Sequence, residues 1–331
     1  MRRYRTLAWL VMAMVLASPG HAQAPAGLAN VVPGAFKFKW IHGSVAAARN
    51  RDPRIQVAPY NQDTIVMREN IAVYWEAPFT YLLIGQERAL LIDTGATPQA
   101  SYYPLRATVD GILRRIASLR GVQQIPLVVA HTSGEDIAQN QGVNQFRDRP
   151  QTTLVPLDLA GMKPHYAFAQ WPQGEATIDL GGRAITVLPA PGTHKDGVAF
   201  YDRQTGLLFT GDLLFPGRIQ ISNDADYVAT LERLNAFAQN HPLQWVLGGH
   251  IDMTAVAGVC YLRHTNFKPN EHFLQLDADA IGEALKHARP IVGKPAAIIR
   301  ADFLLLNRVS PDEEGPWPAD LPPATPRAVL R

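Results

Sequence analysis

The sequence predicts an α/β fold whose two halves repeat one pattern of short strands followed by a helix. Hydrophobic runs of strand length lie between residues 64 and 92, separated by Gly, Asn or charged residues that favour turns. The segment from Pro104 to Leu119 then carries apolar residues at helical spacing. The same order returns between residues 176 and 247. Two such halves are expected to pack as the layers of one domain.

The first half contains five predicted strands. Four of them are rich in Val, Ile, Leu and aromatic residues and are expected to begin the sheet in antiparallel order. The fifth follows the helix, is short and apolar, and ends at His131. The predicted strands are Thr64–Arg68, Ile71–Glu76, Phe79–Ile84, Ala89–Ile92 and Leu127–Ala130.

The second half contains a hairpin, two further strands, a helix and a last strand. The Gly181-Gly182 pair is typical of a tight hairpin turn. The last strand ends at Gly248-Gly249-His250. The predicted elements are Ala176–Leu180, Ala184–Leu188, Val198–Tyr201, Leu207–Thr210, a helix from about Asp224 to Gln239, and Trp245–Leu247.

The N-terminus has the layout of a secretory signal peptide. Three arginines precede an apolar stretch from Leu7 to Ala17, and small residues lead up to Ala22. As a helix that stretch rises only about 16 Å, too little to span a hydrocarbon core of roughly 30 Å. We therefore expect cleavage near Ala22 and a periplasmic or secreted mature protein without a membrane span.

Four segments are expected along the chain. They are a signal peptide at 1–22, an N-terminal extension at 23–63, the main α/β domain at 64–309 and a Pro-rich C-terminal tail at 310–331. Without the three arginines of the signal peptide, 28 basic and 29 acidic residues remain, which argues against a basic surface for nucleic acid. Cys260 is the only cysteine, so the chain forms no intramolecular disulfide, and burial as a free thiol is the favoured interpretation.

Polar residues stand at the ends of three predicted strands. They are His131, Asp212 and His250, and the loop that follows Pro191 adds His194. Strand ends at one edge of a sheet are where α/β proteins build their sites. Imidazole and carboxylate together are ligands for a divalent metal. The sequence therefore predicts that His131, His194, Asp212 and His250 bind a metal ion.

An ordered set of motifs resembles the metallo-β-lactamase superfamily of metal-dependent hydrolases. The resemblance covers roughly residues 64–255 and implies an αββα sandwich with a metal site at one edge. The matching stretches are Tyr81–Gly85, Leu91–Gly95, Val128–His131, Pro191-Gly192, Phe200–Asp202, Gly206–Asp212 and Gly248–His250.

Several positions depart from the pattern of that superfamily. Its central motif, His-x-His-x-Asp-His, here spans 131–136, with Ser133, Glu135 and Asp136 in place of the second histidine, the aspartate and the last histidine. The histidine that usually follows Pro-Gly is displaced by one position to His194. These departures predict one altered metal site or none. One zinc ion is expected, with manganese, iron or magnesium as alternatives because carboxylates favour harder cations.

The resemblance implies an exported hydrolase that uses a metal-activated water on an ester, lactone, amide or β-lactam-type small molecule. Glu135 and Asp136 are the candidate catalytic residues, because a carboxylate at either position could orient the water and act as a base. The alternative is a non-catalytic relative that keeps the fold to bind a ligand or partner. The oligomeric state is not predicted.

Two further interpretations concern Asp93 and Ser133. Asp93 resembles the superfamily aspartate that supports the metal loop from behind. Asp93-Thr94-Gly95 also matches the aspartic protease signature, but such a protease needs two of these carboxylates face to face and would here require a homodimer. It would also leave the motifs at Asp212 and His250 unexplained. Ser133 lies close to His131 in sequence but lacks the surroundings of a nucleophile elbow.

Overall fold

The computed structural model describes residues 31–134 and 138–309. The predicted signal peptide, the predicted C-terminal tail and the candidate catalytic residues Glu135 and Asp136 lie outside the described residues. No helix in the described ranges is both long and apolar enough to cross a membrane.

Fifteen strands and four α-helices are found in the described residues. The strands are β1 (Ile55–Asn61), β2 (Thr64–Glu69), β3 (Phe79–Ile84), β4 (Ala89–Ile92), β5 (Leu127–Ala130), β6 (Thr152–Leu154), β7 (Ala176–Asp179), β8 (Ala184–Pro189), β9 (Val198–Asp202), β10 (Leu207–Gly211), β11 (Arg218–Ile221), β12 (Trp245–Gly248), β13 (Gln275–Leu276), β14 (Ala296–Ile299) and β15 (Leu304–Asn307). The helices are α1 (Leu105–Arg120), α2 (Leu159–His165), α3 (Asp224–Asn240) and α4 (Ala280–Ala288).

The strands form two six-stranded sheets and one small sheet. The first sheet has the order β1-β2-β3-β4-β5-β6 and the second has the order β13-β12-β10-β9-β8-β7. The small sheet has the order β11-β15-β14. Within the two large sheets, β4 pairs with β5 and β10 with β12 in parallel, so these strands end at the same edge of their sheet.

The two large sheets face each other and carry helices on their outer faces. Alternate residues of β3 show this arrangement, because Tyr81 and Leu83 enter the core between the sheets while Leu82 and Ile84 pack against α1. On the other side, α3 and α4 contact each other and pack over the second sheet. The chain is therefore an αββα sandwich, as predicted.

A buried ion pair ties the two sheets together. Arg183, next to β8, meets Asp202 at the end of β9 with Nη2 2.6 Å from Oδ2. The same guanidinium donates to the hydroxyl of Thr64 at 2.7 Å and to the carbonyl of Asp63 at 2.6 Å in the first sheet. Both side chains of the ion pair are almost fully buried, so the pair fixes one end of the sandwich.

The main helices begin and end close to their predicted positions. Pro104–Leu119 was predicted, and α1 runs from Leu105 to Arg120 and stops at Gly121, whose φ of +68° fits the left-handed cap that glycine favours. For α3 the predicted start at Asp224 is confirmed, and the side chain of Asn223 caps the helix by accepting from the amide of Asp226.

One predicted strand is wrong, and one strand was missed inside the predicted extension. Ile71–Glu76 forms turns, because the backbone reverses after Asn70, whose carbonyl accepts from the amides of Val73 and Tyr74 at 2.8 and 3.2 Å. The run is rich in β-formers, but tertiary structure overrides that preference. Ile55–Asn61, within the segment 23–63 predicted as an N-terminal extension, pairs with β2 as the first strand of the sheet.

Candidate active site

Asp212 lies between two imidazoles. Its Oδ2 is 3.5 Å from Nε2 of His194, and its Oδ1 is 3.6 Å from Nε2 of His250. Both distances exceed those of a good hydrogen bond, so neither imidazole forms a well-made hydrogen bond with the carboxylate. His250 is 5% exposed, whereas His194 and Asp212 are half-buried and reach solvent. Three of the four predicted ligands therefore form one cluster.

The parallel pairing of two strands brings Asp212 and His250 together. Gly211 in β10 is in register with Gly248 in β12, so the residues that follow them emerge side by side. A Cβ on Gly249 would lie 3.2 Å from Oδ1 of Asp212, so the backbone passes close to the carboxylate. The prediction that strand ends place these residues at one edge of the sheet is confirmed for this pair.

Gly211 allows the two sheets to approach each other at this edge. Its φ is +53°, and a Cβ at this position would lie 2.2 Å from the hydroxyl of Thr132. Thr132 immediately follows His131 at the end of the first sheet. Glycine is therefore required here both by the backbone conformation and by the contact between the two strand ends.

A second carboxylate faces His250 from the side opposite Asp212. Nδ1 of His250 lies 3.2 Å from Oδ1 of Asp252, and the ring packs against Phe215 at a centroid distance of 4.2 Å. Arg218 Nη1 stands 3.8 Å from Oδ2 of Asp252. A carboxylate on Nδ1 favours the tautomer with hydrogen on that atom, which leaves the lone pair of Nε2 directed towards Asp212.

The charges around His250 keep its imidazole basic. Burial acts to lower the pKa, but the surrounding carboxylates, Asp252 first, raise the pKa of His250 to about 9. The Asp252 carboxyl is buried as well, yet His250 and then Lys268 and Arg218 hold its pKa well below its usual range. These carboxylates favour a proton on the His250 ring, and a cation bound at Nε2 would take the place of that proton.

Among the described residues, His131 forms no hydrogen bond or ion pair with this cluster. It follows β5, is 5% exposed, and its Nε2 shares a hydrogen bond of 3.2 Å with the hydroxyl of Thr94. Its Nδ1 is buried without a hydrogen-bond partner among the described residues, and burial lowers the pKa of His131 to about 3. The imidazole is neutral, as a metal ligand must be. Its assignment as a ligand stays a prediction.

Asp93 joins the ends of two neighbouring strands. Its Oδ1 accepts from the amide of Thr132 at 2.8 Å, and both of its carboxylate oxygens contact the Thr132 hydroxyl. The side chain is fully buried, and burial raises its pKa to about 7. These contacts agree with the supporting role inferred for Asp93. A carboxyl engaged in this way is not presented to a substrate, which disfavours the aspartic protease interpretation.

The segment 131–136, which departs from the superfamily motif, is linked to the loop that carries His194. The amide of Gly134 donates to Oδ1 of Asp196 at 3.1 Å, and Asp196 lies two residues after His194. Asn140 donates to the carbonyls of Ser133 and Gly134, both at 2.6 Å. The chain therefore enters and leaves the segment of Glu135 and Asp136 close to the cluster. The catalytic roles proposed for these two residues stay predictions.

Three residues at the site were not found from the sequence. Asp252 lies two positions after His250, and that spacing was its only signal. Lys268 is 1% exposed, and its Nζ donates to the carbonyl of Ile251 at 3.2 Å. Glu76 was placed in a predicted strand, but it lies in the turn between β2 and β3 and interacts with the charges of His250 and Asp212.

A family model described as the metallo-beta-lactamase superfamily matches residues 73–250, more than half of the chain. The chain belongs to the metallo-β-lactamase superfamily. The matched range begins before Glu76 and ends at His250, so it includes the whole cluster around Asp212. The resemblance inferred from the ordered motifs is confirmed.

Curated relatives are identical to this superfamily member at about one third of the aligned positions. The protein named acyl-coenzyme A thioesterase MBLAC2 of Homo sapiens is 33% identical over 201 residues, which covers 52% of this chain and 72% of that protein. Its counterpart of the same name from Bos taurus is 33% identical over 174 residues, covering 49% and 62%. A third, from Gallus gallus, is 34% identical over 80 residues, and the match spans only 29% of its length.

Solved structures of metallo-β-lactamases are also similar to this chain. The enzyme from Pontibacter korlensis aligns with a TM-score of 0.46 at 17% identity, covering 71% of this chain and 99% of that one. FIM-1 from Pseudomonas aeruginosa aligns with a TM-score of 0.47 at 13% identity, covering 72% and 97%.

The donor atoms of the cluster are of the types that bind a divalent cation. Metallo-β-lactamase folds generally hold a divalent metal, usually zinc. A tetrahedral ion with its ligands at about 2.1 Å keeps those ligands about 3.4 Å apart. Oδ2 of Asp212 is 3.5 Å from Nε2 of His194, and the other oxygen, Oδ1, is 3.6 Å from Nε2 of His250. Within the described ranges no group of three or more His, Cys, Asp or Glu side chains is already placed to hold a metal ion, so these side chains would have to move to bind one.

Proposed function

We propose that this protein is a metal-dependent hydrolase of acyl substrates, with thioesters as the leading class, and that His194, Asp212 and His250 hold the metal. The observation that carries the proposal is the Asp212 carboxylate, whose two oxygens lie 3.5 Å from Nε2 of His194 and 3.6 Å from Nε2 of His250. His131 is the proposed fourth ligand, through the movement of a ring whose Nδ1 is now unpartnered among the described residues.

The side chains around the metal position have separable roles. A bound divalent cation would acidify a water and polarise the acyl carbonyl of the substrate. His194 and His250 would supply neutral imidazole nitrogens, and Asp212 a negative charge between them. Asp252 would hold the His250 ring with Nε2 turned to the site. Glu135 or Asp136 is proposed to accept the proton of the attacking water.

The thioester class is supported by the relatives and by the half-open site. Three curated relatives are named acyl-coenzyme A thioesterase. His194 and Asp212 are half-buried, so an acyl carbonyl can reach them from solvent. Esters, lactones, amides and β-lactams present a similar carbonyl, and the fold does not choose among them. They therefore belong in the same substrate screen.

A non-catalytic binding protein is the second candidate. It is favoured by the Nε2 of His131, which is already engaged by Thr94, and by Ser133, a neutral residue where the superfamily motif has a histidine. Such a protein would keep the sandwich and use the cleft around Asp212 to bind a ligand without turnover.

We further propose that the mature chain acts in the periplasm or outside the cell. The support is the basic, apolar and small-residue order of residues 1–22. N-terminal sequencing of protein recovered from the periplasm or medium is expected to begin at Gln23. Full-length protein confined to the cytoplasm would contradict export without touching the hydrolase proposal.

The hydrolase is tested with the mature protein loaded with zinc or manganese. Hydrolysis of acyl-coenzyme A thioesters is followed by the released thiol, beside a lactone, a carboxylic ester and a β-lactam. We expect thioester turnover that chelation abolishes and metal restores. Asp212→Asn is expected to reduce kcat/KM at least about a hundredfold, because it removes a charged metal ligand and loss of even an outer partner of a ligand costs roughly 10–100-fold. Asp277→Asn, at an exposed aspartate, is the matched control.

Absence of turnover for every substrate class in metal-loaded, folded protein would overturn the hydrolase and favour the binding protein. Turnover that survives chelation and Asp212→Asn would place the chemistry elsewhere in the molecule.

A further inference from the structure

The helix α1, which covers the outer face of the first sheet, carries an excess of positive charge. It contains four arginines and one acidic residue, Asp110. That carboxylate faces two guanidiniums, with Oδ1 2.6 Å from Nε of Arg149 and Oδ2 3.6 Å from Nε of Arg106. At the end of the helix, Arg120 approaches Asp63 to 3.2 Å. One carboxylate between two arginines leaves a net positive charge beside the helix.

Two neighbouring arginines in the middle of α1 face solvent. Arg114 and Arg115 are both exposed, and neither forms an ion pair or hydrogen bond with another of the described residues. The acidic side chains on the two adjoining segments do not balance them. Each of those segments pairs its acid with an adjacent arginine, as Glu87-Arg88 and as Arg147-Asp148. The outer face of the helix therefore stays positive.

A cavity of about 170 Å³ opens beside these arginines. Its lining includes Arg114, Arg149 and Gln124, together with Asp110. Arg149 donates from Nε to Asp110 and from Nη1 to the hydroxyl of Thr152 at 3.0 Å, while its Nη2 has no hydrogen bond among the described residues. The planar donors of guanidinium groups suit phosphate oxygens. The cavity therefore offers donors to an anionic head group.

Apolar side chains stand out from the surface where the helix ends. Leu119 is 78% exposed and Val122 is 49% exposed. The amide of Val122 donates to the carbonyl of Ala117 at 3.0 Å, so the chain after the helix stays against its last turn. A single exposed apolar residue needs no explanation. Two of them beside unpaired arginines match the two features of a surface that binds at a lipid interface, where cations meet head groups and apolar side chains are buried.

The fold places this region away from the proposed active site. The helix carries the chain from the end of β4 to the start of β5, and these two strands are parallel. The C-terminal end of α1 therefore lies at the edge of the sheet opposite to the edge that carries Asp212 and His250. A large partner bound at the end of the helix would leave the active-site edge open to substrate.

We infer that α1 docks this protein on a membrane surface of anionic phospholipid. Arg114, Arg115 and Arg149 would contact the phosphates of the head groups, and Leu119 and Val122 would enter the boundary between head groups and acyl chains. The membrane is the partner that complements both the positive charge and the exposed apolar side chains. The inference is independent of metal binding and of the proposed hydrolase.

The test places a fluorescent probe on α1 in the full chain. Cys260, the only cysteine, is replaced by serine, and Ser118→Cys is labelled with an environment-sensitive dye. Ser118 is exposed and lies one helical turn after Arg114. Vesicles of phosphatidylglycerol and phosphatidylcholine in equal amounts are expected to shift the emission to shorter wavelength, whereas phosphatidylcholine alone is not. A dye at Val45→Cys, a residue that is 79% exposed, is expected not to respond.

Removal of the two solvent-facing charges is expected to weaken this response. Arg114→Gln/Arg115→Gln should lower the apparent vesicle affinity about thirtyfold, which corresponds to about 1 kcal/mol for each arginine. Added salt should act in the same direction. The matched control is Arg203→Gln/Arg263→Gln, at two exposed arginines outside α1, and it is expected to bind as the wild type does. Leu119→Ser is expected to reduce the spectral shift and to keep its dependence on phosphatidylglycerol.

Three results would overturn the inference. They are no shift at position 118, an equal shift with phosphatidylcholine alone, and an unchanged affinity of Arg114→Gln/Arg115→Gln. A response of the same size at position 45 would also overturn it, because contact would then not be specific to α1. Binding of heparin more tightly than of the mixed vesicles would identify a surface for soluble polyanions instead. All of these outcomes leave the hydrolase proposal untouched.

Discussion

The imidazole of His250 forms a hydrogen bond with Asp252. Oδ1 of Asp252 lies 3.2 Å from Nδ1, on the side of the ring that faces away from Asp212. This relationship separates the two nitrogens of one ring. Nδ1 is committed to a buried carboxylate, and Nε2 is left for the site. Because Asp252 is 6% exposed, this hydrogen bond lies in the packed interior and not at the surface.

The hydrogen bond between Asp252 and His250 predicts a loss of metal affinity when Asp252 is replaced. Asp252→Asn keeps an acceptor for Nδ1 and removes the charge, whereas Asp252→Ala removes both. Loss of such an outer partner weakens metal binding by roughly 10–100-fold. We expect the loss of zinc affinity to be near the lower figure for Asp252→Asn and near the upper figure for Asp252→Ala. Equal affinity for wild type and Asp252→Ala would show that the ring needs no support, and Asp277→Asn is the control.

The close approach at Gly211 predicts opposite outcomes for two glycine substitutions. At Gly211 an alanine needs φ near +53° and meets Thr132 at 2.2 Å, so Gly211→Ala is expected to destabilise the protein by at least about 1–2 kcal/mol and to weaken metal binding. Gly111, inside α1, has nothing within 4 Å of a Cβ, so Gly111→Ala is expected to stabilise by about 0.5–1 kcal/mol. Urea unfolding of both variants measures this difference, and equal midpoints would contradict it.

The ion pair between Arg183 and Asp202 predicts a stability effect without a functional one. Arg183→Met leaves Asp202 buried without its partner and also removes the donor to Thr64. Breaking a buried pair from one side costs about 3–5 kcal/mol. We expect a correspondingly lower unfolding free energy, with zinc affinity unchanged under conditions where the variant is folded. A variant as stable as the wild type would show that the sheets do not depend on this pair.

Asp224 predicts how stability depends on pH in acid. Its pKa is lowered to about 2 by the side chain of Asn307, then by the Gly293 amide and Arg308. A carboxyl whose folded pKa lies below its unfolded value of about 4 stabilises the protein above pH 4, and this contribution is lost as the pH falls from about 4 to about 2. The unfolding free energy of wild type minus that of Asp224→Asn is expected to shrink over this range. A difference independent of pH would contradict the assignment.

Local pattern was enough to predict the layers and part of the site. Helical spacing located α1 and α3, and the rule that parallel strands end at one edge predicted the meeting of Asp212 with His250. The Ile71–Glu76 turn was missed because its composition favours a strand, while a hydrogen bond from Ala77 and contacts of Arg68 fix it. Composition and spacing do not report such contacts.

The site residues that could not be predicted depend on contacts with distant parts of the chain. Lys268 is buried among charged residues that come from distant parts of the chain. Nothing in its neighbouring sequence distinguishes it from a surface lysine. The hydrogen bond between His131 and Thr94 spans 37 positions and depends on the parallel register of β4 and β5. Such partners become visible only once the sheet is assembled.

The central claim, that Asp212 with its two flanking imidazoles forms the metal centre, is tested most directly by calorimetric titration of metal-free protein with zinc. The wild type is expected to bind about one ion per chain. Asp212→Asn and His250→Ala are expected to lose that binding, while His165→Ala, at an exposed helical histidine, keeps it. A wild-type protein that binds no ion, or an Asp212→Asn variant that binds zinc with unchanged affinity, would contradict the account.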